Sequence, residues 1–130
     1  MSTNARLKLA AAILLMSLVS FGVLASPAFA RRGDHLPKHR PYTVKVIEKV
    51  GRQYRLPKAD IKALIVLAYR ESSWNPRCVT GSCYGLFQVQ RPCKRWRNPA
   101  WNTARAIRDI RKVYKTPRRA LAHSFRRGWY

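Results

Sequence analysis

One carboxylate, set where an apolar run gives way to a punctuated loop, is where this chain could do chemistry. Residues 65–90 read IVLAYRESSWNPRCVTGSCYGLFQVQ, with Pro76, Gly81 and Gly85 breaking the second half. Glu71 stands at the junction. On a helix, Leu64, Leu67, Ala68 and Glu71 share one stripe, because residues three, four and seven apart lie on one face. A carboxylate on an apolar stripe is dehydrated unless a cation pairs with it, and dehydration favours the protonated form. An acid still protonated near neutral pH can give its proton to a leaving group. The competing reading is a structural ion pair in which Arg70 or another arginine neutralises Glu71.

The residues after Glu71 favour the chemical reading. Glu71-Ser72-Ser73-Trp74-Asn75-Pro76, and then Gly85-Leu86-Phe87-Gln88-Val89, resemble the first two motifs of the soluble-type lytic transglycosylases and goose-type lysozymes. That family cleaves the glycan strands of peptidoglycan, and the resemblance spans roughly residues 56–114. It implies a lysozyme-like fold with Glu71 as the catalytic acid/base. Ser72 would help to orient that acid, and Gly85 to Gln88 would wall the sugar groove. The substrate-contacting set is then Ser72, Ser73, Tyr84, Gly85, Phe87 and Gln88. Tyr84 and Phe87 are the rings that could stack on sugars, and Gly85 is bare backbone that a ligand could approach. Trp74 reads either as core or as an apolar wall that raises the acid's pKa.

The chain also departs from that family. Where its members usually carry Ala-Tyr-Asn-x-Gly, this sequence has Ala122-His123-Ser124-Phe125. The tyrosine that usually supports the glutamate is missing at that place. The closing Gly128-Trp129-Tyr130 resembles the end of compact lysozyme-like domains of phage and secreted wall enzymes.

Glycoside hydrolysis ordinarily uses two carboxylates about 5 to 9.5 Å apart. Asp60 lies eleven positions before Glu71, roughly 16 Å along a helix, and is excluded. Asp34 is in a polar lead-in, and Glu48 lies towards the exposed side of a first helix. Asp109 has Arg105, Arg108 and Lys112 at helical spacing, which makes ion pairing its plain explanation. The census therefore suits a one-glutamate mechanism. Glu71 protonates the glycosidic oxygen, then accepts a proton while the sugar's own 6-hydroxyl closes a 1,6-anhydro ring. The anhydro product is what the transglycosylase resemblance implies. Two alternatives stay open: a hydrolysing, lysozyme-like muramidase, and a cationic wall-binding protein without catalysis.

The elements that must position Glu71 are legible around it. Residues 1–30 read as a secretory signal peptide: Arg6 and Lys8, then an apolar run from Leu9 to Ala25, then Ala28-Phe29-Ala30 as a small-x-small cleavage pattern. Export to the periplasm or to the extracellular wall is expected. Residues 31–41 read as a flexible basic lead-in punctuated by proline. Its His35 and His39, like the distant His123, suggest solvated side chains, with no metal site and no cofactor. Residues 42–130 form one expected domain, all-α. Thr43 is expected to cap a helix reaching Tyr54, weakened by Gly51. Pro57 opens the central helix, with Asp60 complementing its dipole. Asn102 or Thr103 is expected to cap a third helix with Ile107, Ile110, Val113 and Tyr114 on its buried stripe. A last short helix covers Arg119 to Phe125.

Charge and cysteines fix the setting. Two of the 27 basic residues lie in the first 30, and all five acids lie beyond, so the remainder carries +20. Such a field draws a protein to polyanions. For an exported chain the partners are peptidoglycan strands and an anionic wall or membrane surface; no specific nucleic acid is expected, and the chain reads as a monomer. Trp96 and Trp101, with Arg95 and Arg97, could line a groove for an anionic polymer, or rim a small core. Cys78, Cys83 and Cys93 all lie in the loop region, and an exported chain can oxidise them. Cys78–Cys83 is the favoured pair, with Cys83–Cys93 the alternative.

Overall fold

Helices form wherever the apolar spacing asks for them, and a small sheet fills part of the stretch between. The computed structural model describes residues 36–90 and 93–130. The expected signal segment and the first part of the lead-in lie outside the described residues. Four helices appear there: α1 (Tyr42–Gln53), α2 (Lys58–Ser72), α3 (Pro99–Val113) and α4 (Pro117–Arg127). Between α2 and α3 run three two-residue strands, β1 (Val79–Thr80), β2 (Cys83–Tyr84) and β3 (Val89–Gln90), antiparallel in the order β1-β2-β3. The all-α expectation holds in the main: the domain is mostly helical, with a minimal three-stranded sheet beside the helices. Its strands are too short to leave an alternating pattern in the sequence.

α2 is the central element. It packs against α1 and α4, while α1 also packs against α3. Its Leu64, Leu67 and Ala68 are wholly buried, and Ile47, Leu86, Ile107 and Ala120 meet them in one core. Gly51 does not weaken α1. A Cβ there would come within 2.8 Å of the Ile61 side chain, so the glycine lets α1 lie close on α2. Close packing of the two helices outweighs the propensity cost of about 1 kcal/mol.

Several helix ends differ from expectation. α1 starts after Pro41, and Thr43 is buried inside it, its hydroxyl donating to the Trp74 carbonyl at 3.1 Å. α3 is capped by Asn98, whose side chain accepts from the Ala100 and Trp101 amides, with Pro99 in the first turn. Asn102 and Thr103 are therefore interior and buried. Val113 is 68% exposed rather than part of the stripe. α4 begins at Pro117, with the Thr116 hydroxyl accepting from the Arg119 amide, and ends at Gly128 in the left-handed region. Asp60 does not serve the α2 dipole alone: buried, it accepts from the Arg118 guanidinium at 3.1 Å and the Arg118 amide at 3.2 Å, tying α2 to α4.

Candidate active site

α2 ends one residue past Glu71, and its last turn is held from three sides. Ser72 is buried, and its hydroxyl is shared between the Ala68 carbonyl at 3.0 Å and the Leu86 carbonyl at 2.9 Å. Ser73 and Trp74 both have positive φ, 51° and 64°, which reverses the chain at once. Such a conformation costs an aromatic residue energy and persists only where surroundings impose it. Here the imposing contacts are the Trp74 indole N–H donating to the Ile65 carbonyl at 2.9 Å and Thr43 holding the Trp74 carbonyl. Trp74 is core, 4% exposed, with the Tyr69 ring 4.7 Å away.

Glu71 itself is half-buried. Burial raises its pKa from 4.5 to about 7, against a smaller opposing pull from the Arg70 charge. Arg70 is turned elsewhere. Its guanidinium donates to the Ser124 hydroxyl at 3.0 Å and the Ser124 carbonyl at 3.2 Å, and lies 4.7 Å over the Phe125 ring. Among the described residues the ion pairs are Arg105–Asp109 and Arg118–Asp60. Glu71 has none, so the structural ion-pair reading loses its partner.

The second motif folds back onto this helix end, but mostly to build a scaffold. Phe87 is 2% exposed and belongs to the core, so the expectation that it stacks on a sugar is corrected. Ser72, likewise buried, is a tether between α2 and the loop and not a sugar contact. Gly85 is required by a protein neighbour rather than a ligand: at φ +79°, a Cβ there would overlap the Asn102 amide and sit 2.9 Å from the Trp96 carbonyl. Gln88 (φ 48°) turns its amide inward, donating to the Gly85 carbonyl at 2.9 Å and the Cys78 carbonyl at 3.3 Å. Its Oε1 is buried with no partner among the described residues. Ser73 is exposed and Tyr84 half-exposed; these two of the expected contact set remain open to a substrate.

Two residues take roles at the site that the sequence did not assign to them. Asn102, fully buried, accepts from the Phe87 amide at 2.9 Å and donates to the Tyr84 and Trp96 carbonyls at 3.1 and 3.2 Å. From the sequence, Asn102 reads only as one of two candidate helix caps. Tyr130 is the other. Its phenol donates to the Phe87 carbonyl at 3.0 Å, and its ring lies 6.5 Å from Tyr114. Burial first, then the charges of Glu71, Asp109, Tyr114 and Cys83, push that phenol well above its ordinary pKa. A tyrosine thus stands within electrostatic range of Glu71, supplied by the end of the chain instead of the segment after α3.

The cysteines are free in this structure, and the expected Cys78–Cys83 bridge is not formed in it. Register explains it. Cys83 pairs with Thr80 and Gln90, whereas the Gly85 amide donates to the Cys78 carbonyl, placing Cys78 opposite Gly85. The two cysteines are therefore offset diagonally rather than directly opposite each other. Among the described residues no three His, Cys, Asp or Glu side chains gather, and no helix is long and apolar enough to cross a membrane. No protein-family model, curated protein or solved structure matches the chain.

Proposed function

We propose that this chain is an exported peptidoglycan lytic transglycosylase with a lysozyme-like domain, cleaving between N-acetylmuramic acid and N-acetylglucosamine. The observation that carries the reading is Glu71: a half-buried carboxylate at the end of the central helix, without a cationic partner among the described residues, protonated to about pH 7. In that state it can protonate the glycosidic oxygen as the bond breaks. The resulting carboxylate then accepts the 6-hydroxyl proton while that oxygen closes the anhydro ring. The Tyr130 phenol, which feels the Glu71 charge, donates to the Phe87 carbonyl and helps to hold the second motif's loop. Ser73 and Tyr84 are the residues best exposed to meet the strand.

Hydrolysis, with water attacking after the same acid has protonated the bond, is the second reading. Asp109 does not supply a second carboxylate for it, because Arg105 holds that side chain at 2.7 Å. Mass spectrometry of fragments released from purified peptidoglycan separates the outcomes. Anhydro ends support transglycosylation, reducing ends support hydrolysis, and intact strands leave a wall-binding protein.

A further inference from the structure

We propose that the cleft lined by Arg77, Val79, Trp96 and Arg97 is a second binding site, which holds the carboxylate of the peptide carried by the glycan strand. The identity of that peptide rests on the peptidoglycan reading above. The cleft encloses about 390 Å³, the size of a small-ligand site. Two of its four lining residues are arginines, and neither joins an ion pair among the described residues.

The arginines are set in an ordered frame. The Arg97 guanidinium lies 4.7 Å over the Trp96 ring, and Tyr84 meets the same indole edge-on at 5.2 Å. The Asn102 amide holds the Trp96 carbonyl from below. A guanidinium steadied on an indole keeps its planar fork free for a carboxylate, which it can grip with two parallel hydrogen bonds. Because Arg97 covers one face of Trp96, that face is not a platform for a nucleic-acid base, the contact on which single-strand binding relies. Val79 is 52% exposed and supplies an apolar wall. A phosphate–polyol polymer has little to lay against it. A short acidic peptide has methyl and methylene groups for Val79 and carboxylates for the arginines.

Glu71 is not among the residues that line the cleft. Val79 and Tyr84 are register partners and face the same side of the hairpin. A branched substrate fits two separate contacts: the strand at Glu71 and its peptide at the arginines.

The test uses the whole exported chain. Tryptophan fluorescence would follow titration with a synthetic alanine- and glutamate-containing peptide bearing free carboxylates, with its fully amidated counterpart, and with a phosphodiester polyol. The free-carboxylate peptide should bind at least roughly tenfold tighter than either of the others. In Arg77→Gln/Arg97→Gln that advantage should disappear while the melting curve stays in place, since both side chains are exposed. Equal affinity for the amidated peptide, an unaltered double variant, or tighter binding of the phosphodiester overturns the proposal. This readout needs no strand cleavage, so a chain that cleaves nothing would refute the transglycosylase reading and leave this one to be decided by the titration. In a cleaving chain, the wild type should prefer peptide-bearing over peptide-stripped strands, and the double variant should lose that preference.

Discussion

At position 71 the fold holds an acid in the protonated state that free solution would remove. The cost has a direction that can be measured. Below about pH 4.5 Glu71 is neutral both folded and unfolded. Between that value and about 7 the unfolded chain ionises while the folded one does not, so stability falls as pH rises; above 7 the full penalty remains. The shift caps it at about 3 kcal/mol. Glu71→Gln carries no such penalty. The variant should melt with the wild type near pH 4 and above it at pH 8, while strand cleavage drops by about 10²- to 10⁴-fold. Calorimetry across that range checks the first statement, and a variant less stable at pH 8 would restore the ion-pair reading. Wild-type cleavage should decline above about pH 7 as the acid loses its proton. Tyr130→Phe tests the neighbouring group. It strands the Phe87 carbonyl, which should cost about 1–3 kcal/mol, and if Tyr130 positions the loop beside Glu71, kcat should fall roughly tenfold with KM unchanged. A matched rise in KM would place Tyr130 on substrate instead.

Between residue and domain, the end of α2 that carries Glu71 is held by side chains hydrogen-bonded to backbone groups of neighbouring segments. Ser72 ties the helix to Leu86, Asn102 ties α3 to Tyr84, Phe87 and Trp96, and Tyr130 ties the chain's end to Phe87. Asn102→Ala removes three hydrogen bonds from a fully buried site at once and should cost about 3 kcal/mol at roughly 1 kcal/mol each. A loss below about 1 kcal/mol in chemical denaturation would show that water or rearrangement replaces the asparagine. These links explain what the sequence could and could not convey. Helix periodicity is a local property, so α2 and its apolar faces were readable from Ile61 to Ala68. The uses of Gly51, Gly85 and Asn102 are set by neighbours distant in the chain: Ile61 against Gly51, and the Asn102 amide against Gly85. Phe87 beside a catalytic motif suggested a sugar platform, whereas its neighbours Leu86 and Val89 carry it into the core. Tyr130 was visible only as a terminal aromatic; its contact with Phe87 crosses 43 positions.

Over the whole molecule, the sequence beyond residue 30 carries +20, and its described basic residues differ in what they touch. Some arginines are spoken for: Arg70 by Ser124, Arg105 by Asp109, Arg118 by Asp60, and Arg108 and Arg111 by Tyr54. Apart from Arg70 and Arg105, these side chains are exposed, and their positive field reaches solvent even where a hydrogen bond is made. Lys94, Arg95 and Arg97 lie exposed before α3, and Arg126 and Arg127 lie exposed at the end of α4. A polyanionic wall therefore meets positive charge from several directions, and attraction of that kind is screened over about 10 Å at 0.1 M salt and about 3 Å at 1 M. Retention on purified sacculi should be strong at low salt and fall steeply as salt approaches 1 M. The fall should be the same for Glu71→Gln, because losing the proton donor leaves the surface field in place. Short-range contacts in the cleft and groove should resist salt better, leaving a residual retention that Arg77→Gln/Arg97→Gln reduces. Binding that is flat from low to high salt would mean that groove contacts, not the field, bring this chain to the wall.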